Sequence, residues 1–273
     1  MEQPLLGHVV AQLIEHTVGV RPRIGGSGHE ENHDALVRGK IDVYVEYIGT
    51  ALRRMLGVEL PRGNAFELVC EKSGRRWPVV WMPPFGFNNT YALLLRHADA
   101  ERLGIRRCSD LVRVAPSLVL GAIEPAIRGD PAFSFAPGGI VGLQETYGLA
   151  FRAVRPLPSE PGLSHRALAE GEVDVLMDFP VHPAVWAHDL VEVEDDRRFF
   201  PDYRACAVVH RGFLERYPTV RTVIERLTGK LDNRAMARLN FEVEVSGRSV
   251  QEVAWDWIRR MRLIEDHTKE GGG

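Results

Sequence analysis

Apolar residues at Leu5, Val9, Val10, Leu13 and Ile14 recur at the three-to-four spacing of a helix that buries one face. The pattern predicts an amphipathic N-terminal helix. Without a basic start or a small-residue cleavage site, it reads as part of the mature chain and not as a leader peptide. Farther on, "PSLVLGAI" reads as a strand, and "HADAERLGI", "VGLQETYGLAFRAV", "PTVRTVIERLTGKL" and "SVQEVAWDWIRRMRLI" read as helices. Strands alternating with helices predict an α/β architecture. No apolar run approaches the roughly 18 to 20 residues of a membrane-spanning helix.

The pattern also repeats. "ALVRGKIDVYVEY" (35–47) aligns without gaps on "ALAEGEVDVLMDF" (167–179). Each copy predicts a helix end, a glycine stop at Gly39 or Gly171, and a short strand ending on an aromatic, Tyr47 or Phe179. A weaker pair, "FNNTYALLLR" and "FFPDYRACAVVHR", puts turn residues before Tyr91 or Tyr203 and then runs into an apolar strand. Repeated units predict two similar lobes. Ligands in open α/β sheets settle beyond the carboxyl ends of strands, so Tyr47 and Phe179 are expected to face a shared crevice. Tyr91 and Tyr203 are expected to begin the strands that cross between lobes. The boundaries implied are 1–88 with 201–265 for the first lobe and 89–200 for the second, with a disordered tail at 266–273.

At 273 residues the chain suffices for two modest domains, and 45% hydrophobic with 26% charged residues is ordinary for a globular protein. A net charge of -3 offers no general attraction to nucleic acid, and none is expected as a partner. Cys70, Cys108 and Cys206 are odd in number and form no metal-ligand pattern, so they are expected as buried thiols.

With these segments laid out, the chain resembles the substrate-binding proteins of ABC importers for glycine betaine, carnitine and choline. The matching segments are "GKIDVYVEYIGTAL", "WMPPFGFNNTYAL", "LGIRRCSDL", "LQETYGLAF", "GEVDVLMDF", "LVEVEDDRRFFPDYRACAVV" and "MARLN", in the family's order. The resemblance implies a two-lobed clamshell of the type II periplasmic-binding-protein fold, each lobe a mixed sheet flanked by helices. It implies an aromatic cage for a quaternary ammonium at Tyr47, Tyr91, Phe179 and Tyr203, with Thr50, Asn89 and Gln3 serving the ligand's other end. A trimethylammonium cannot donate a hydrogen bond, so ring faces hold it. A carboxylate needs fixed donors. A membrane permease is the implied partner, the outer face of the membrane the implied location, and a monomer without cofactor or catalysis the implied form.

The chain departs from the family pattern in three places. Phe179 stands where a Tyr is usual, with His182 nearby. "IRGDPAFSFAPGGIVGL" is longer and more apolar than the family's loop and is expected to reshape the cleft mouth. The family's strand and Ser-Lys-x-Phe-Thr-like segment before Glu2-Gln3 have no counterpart here, so the first sheet is expected to lack a strand.

Two readings compete with the transporter. "HEENH" (29–33) fits the H-E-x-x-H pattern of zinc hydrolases. Against it stand the short helix that Gly39 ends and the want of a third ligand. A sensory domain of the same fold is the other. Trp81 is expected to be structural, and of Trp255 and Trp257 one is expected to pack while the other covers a groove.

Overall fold

The computed structural model describes residues 2–26, 28–61, 63–129 and 135–264; the expected tail at 266–273 lies outside them. The chain opens with α1 (Glu2–Val18), α2 (His29–Val37), β1 (Val43–Tyr47), α3 (Ile48–Thr50), α4 (Ala65–Arg76) and β2 (Val79–Trp81). It then crosses into β3 (Ala92–Arg96), α5 (His97–Leu103), β4 (Val119–Ile123), α6 (Glu124–Arg128), α7 (Gly139–Tyr147), β5 (Ala153–Leu157), α8 (Leu163–Ala169), β6 (Val175–Asp178), α9 (Pro183–Ala187) and β7 (Leu190–Val193). A second crossing returns it to β8 (Ala205–His210), α10 (Arg211–Arg216), α11 (Thr219–Glu225), α12 (Asn233–Glu244) and α13 (Val250–Arg260).

Two sheets result, β1-β8-β2 and β5-β4-β6-β3-β7. In the larger sheet β4 runs parallel to β5 and β6, and β3 runs antiparallel to β6 and β7. In the smaller sheet both ladders are antiparallel, and the parallel bridge between Gly86 and Leu231 is an isolated one outside the named strands. The mixture of directions expected of both lobes is therefore full in the second and slight in the first.

The amphipathic start folds as expected. Leu5, Leu6, Val9, Val10, Leu13 and Ile14 are buried, and α1 packs on α13, whose inner face carries Val253, Ala254, Trp257 and Ile258. Each such apolar side chain contributes roughly 1.5 to 3 kcal/mol of burial. Ser249 and Glu252 cap α13 reciprocally: the Ser249 hydroxyl accepts the Glu252 N–H at 3.2 Å, and a Glu252 carboxylate oxygen accepts the Ser249 N–H at 3.3 Å. Trp257 is buried, whereas Trp255 stacks on His16 with ring centroids 4.3 Å apart. Trp81 is buried in β2, and the three cysteines are free thiols, Cys70 half-buried and the others buried.

One expectation fails. "VGLQETYGLAFRAV" does not continue as a helix: α7 stops at Tyr147, and Ala153 and Val154 already belong to β5. Gly148 takes φ 72°, a left-handed cap that releases the chain from the helix. The apolar spacing carries on across a break that backbone conformation decides.

The crossings lie side by side, and Asn88 joins them. Its N–H donates to Asn233 Oδ1 at 2.7 Å, its Nδ2 donates to the Pro201 carbonyl at 3.3 Å, and its Oδ1 accepts the Tyr203 N–H at 2.7 Å. A third link is α12. Met236 and Leu239 enter the core beneath the first sheet, and Ala237 packs with Leu94, Leu168 and Leu176 of the second lobe.

Candidate functional site

Strand register sets the four expected aromatics at or beside strand ends, where the Tyr47 ring packs beside His29 and Phe87, with centroids 6.0 and 6.4 Å away. Ala92 pairs with Asp178, so the residues just beyond, Tyr91 and Phe179, face each other with centroids 4.7 Å apart and edge to face. In the first sheet Tyr47 pairs with Ala205, two residues past Tyr203. The Tyr203 ring lies on the Gly49 backbone so closely that a Cβ there would stand 2.6 Å from three ring carbons. Tyr47, Tyr91 and Tyr203 are buried and Phe179 half-buried.

A fifth ring joins three of these. Phe135, from the α6–α7 connection, lies 4.8 Å from Tyr203, 5.1 Å from Phe179 and 5.7 Å from Tyr91, centroid to centroid. The sequence reading singled out the loop and missed this residue. The signal was its Phe content: Phe133 and Phe135 sit two apart in a segment that the family resemblance marked as unusual.

The polar candidates divide. The Tyr47 hydroxyl donates to a Glu2 carboxylate oxygen at 3.3 Å, and the nearby Asn89 amide offsets part of the rise that burial gives its pKa. The Asn89 N–H donates to the Tyr203 carbonyl at 3.3 Å. Thr50 ends α3 beside Gly49, half-buried, one residue from the Tyr203 contact. Gln3 donates from Nε2 to the Val45 carbonyl at 3.0 Å and lies 3.1 Å from His29 Nδ1, which ties α1 to β1. Burial holds the Tyr47 and Tyr91 phenols far above their ordinary range, so both rings stay neutral.

Behind each strand-end aromatic stands a buried carboxylate. Glu46 Oε1 accepts the Tyr47 N–H at 2.7 Å, and Asp178 Oδ1 accepts the Phe179 N–H at 2.8 Å. His29 meets Glu46 at 2.9 Å, and that bond raises the imidazole pKa. In the second lobe the Ser164 hydroxyl donates to Asp178, and His165 Nε2 donates to the Phe179 carbonyl at 3.1 Å. His165 lies 3.8 Å from Asp178 and stacks on His182 at 4.4 Å. Burial lowers both imidazoles, His182 to about 4, with His165 adding to the latter shift. His182 itself caps α9, accepting the Ala184 N–H at 3.1 Å.

The histidines of "HEENH" turn to separate partners: His29 to Glu46, and His33 to the Tyr44 hydroxyl at 3.2 Å and the Trp77 ring at 4.3 Å. Among the described residues no group of three His, Cys, Asp or Glu side chains is placed to hold a metal ion. His33 and His165 also occupy equivalent places in the repeat, two residues before Ala35-Leu36 and Ala167-Leu168, so the similarity reaches farther back than the aligned stretch.

Two lobes, paired crossings, and aromatics from both lobes at the junction define a two-lobed solute-binding protein of type II architecture. The model of the family described as the substrate binding domain of ABC-type glycine betaine transport system matches residues 1–260, and the chain belongs to that family. That family is one of solute-binding domains and not of enzymes. An ergothioneine transport permease/ergothioneine binding protein of Helicobacter pylori (strain G27) is 30% identical over 264 residues, which cover 96% of this chain and 46% of that protein. The chain thus spans about half the length of that relative. A glycine-betaine-binding protein of Pseudomonas aeruginosa is 29% identical over 281 residues, covering 100% of this chain and 88% of that one. Among solved structures, a glycine betaine/carnitine/choline ABC transporter matches with a TM-score of 0.82 at 29% identity, over 96% of each chain.

Proposed function

We propose that the protein captures a quaternary-ammonium solute of the glycine betaine, carnitine and choline class in an aromatic cage between its lobes, and delivers it to an ABC permease at the outer face of the membrane. Tyr47, Tyr91, Phe179 and Tyr203 form the cage on this reading, and Thr50, Asn89 and Gln3 serve the other end of the ligand. The observation that carries it is the meeting of Tyr91 and Phe179 from one lobe with Tyr203 from the other around one point. Ligand drives closure only when both lobes contribute to the bound state, and this arrangement meets that condition. The lobes are taken as 1–88 with 201–265 and 89–200, the paired crossings at Asn88 and Tyr203 acting as the hinge. The protein works as a monomer.

Each ring contributes roughly 0.5 to 2 kcal/mol to a desolvated ammonium, enough in sum for micromolar affinity after association costs. The name of the Helicobacter pylori relative adds ergothioneine, a trimethylammonium betaine, to the candidates. Calorimetry against glycine betaine, carnitine, choline and ergothioneine tests the reading. Tyr203→Ala and Tyr91→Ala are each expected to weaken binding about 10-fold or more; unchanged affinity in both sinks the cage, and so does a panel in which nothing binds.

A further inference from the structure

Phe135 stands where the ligand would. The chain carries it on the α6–α7 connection of the second lobe, and its carbonyl accepts the Thr90 hydroxyl at 3.4 Å, beside the first crossing. Its ring packs against the cores of both lobes. An ammonium held by ring faces sits within about 6 Å of each centroid. Phe135 lies 4.8, 5.1 and 5.7 Å from Tyr203, Phe179 and Tyr91, so it has the separation from these three rings that the ammonium itself would take.

Neighbouring walls of a cage touch, as Tyr91 and Phe179 do at 4.7 Å, but rings that face each other across a ligand, as Tyr203 faces that pair from the other lobe, do not. Two rings that sandwich a cation stand about 9 to 12 Å apart, twice the cation–ring distance. Aromatic rings in direct contact have centroids about 4.5 to 7 Å apart. All three separations of Phe135 fall in the contact range, which leaves no interval for a trimethylammonium between it and those rings.

We propose that Phe135 is an internal competitor for the cage: a quaternary ammonium binds by displacing its ring, and Phe135 thereby sets the threshold a ligand must exceed. The inference rests on the cage reading given above. The competition favours charge. Phe135 gains edge and tilted contacts with three rings, whereas a desolvated cation gains the stronger attraction of the same ring faces. A neutral isostere offers no such surplus. Because displacement precedes occupation by any ligand, the apparent affinity of each is reduced by the fraction of molecules with the ring withdrawn.

The test is titration of the wild-type protein and of Phe135→Ala with tetramethylammonium, choline and glycine betaine. The competitor predicts that Phe135→Ala binds all three more tightly, by a similar factor of roughly 10 to 100, the equivalent of two or three lost ring contacts. Phe135→Leu, which keeps the apolar bulk, is expected to fall between and covers a failure of the alanine variant to fold. Weaker or unchanged binding in both variants overturns the inference, and weaker binding would make Phe135 a wall. If wild-type binding is lost on Tyr203→Ala while the Phe135 variants gain nothing, the cage stands and the competitor falls. If no probe binds any of these proteins, the cage falls and takes the competitor with it.

Discussion

The two copies of the repeated segment place a carboxylate at the same point and give it opposite surroundings. Glu46 and Asp178 each lie one residue before the strand-end aromatic and accept its N–H, at 2.7 and 2.8 Å. Glu46 faces the half-buried His29, and hydrogen bonding raises that imidazole's pKa. Asp178 faces His165, only 1% exposed and stacked on His182, and burial lowers both. An aligned carboxylate therefore fixes the strand end in both lobes, while the packing of the partner decides whether the imidazole favours its charged form.

That contrast can be broken from either side. Removing Asp178 has the largest expected effect. Asp178→Ala leaves the Phe179 N–H and the Ser164 hydroxyl without their buried acceptor, for a loss of about 2 to 4 kcal/mol measured by urea unfolding. Glu46→Gln keeps the shape and one acceptor, so the same measurement is expected to give about 1 to 2 kcal/mol. A larger loss for Glu46→Gln than for Asp178→Ala would reverse the ranking of the two lobes.

Smaller still, and opposite in sign between lobes, is the dependence on pH. His182 and His165 have folded pKa values below that of the unfolded chain, so the unfolded state binds more protons as pH falls below about 6.5. Stability is expected to decline from there toward about pH 4, where His182 titrates in the fold. His182→Asn, which keeps a capping acceptor for Ala184, is expected to flatten that slope. His29 runs the other way: with its folded pKa raised, its contribution is present below about pH 6.5 and lost as pH rises through the folded value. Glu46→Gln should abolish this alkaline loss. Unfolding midpoints across pH 4 to 8 for wild type and both variants separate the two effects.

Much of the fold was legible because its signals are local. The apolar face of α1, the stop at Gly39 and its counterpart Gly171, and the strand that follows each depend on neighbouring residues, and the structure has them as expected. The repeat placed Tyr47 and Phe179 at strand ends, and turn residues placed Tyr91 and Tyr203 at strand starts. The end of α7 was not legible. Apolar spacing in "YGLAFRAV" satisfies a helix, and only the left-handed Gly148 separates α7 from β5.

Within the site the division follows the reach of each interaction. Residue type and spacing suffice to say that two strands end on aromatics, since one copy of the segment can be checked against the other; that each aromatic follows a buried carboxylate came from the fold. Contacts between segments far apart in the chain lie beyond that. The meeting of Tyr203 with Gly49, the bridging of both cores by α12, and the seating of Phe135 among three rings each join residues whose proximity depends on sheet register and on how the two lobes pack. The pattern "DPAFSF" shows two phenylalanines in a loop. Only the folded chain, by bringing Tyr91, Phe179 and Tyr203 to one point, sets the second of them among those rings.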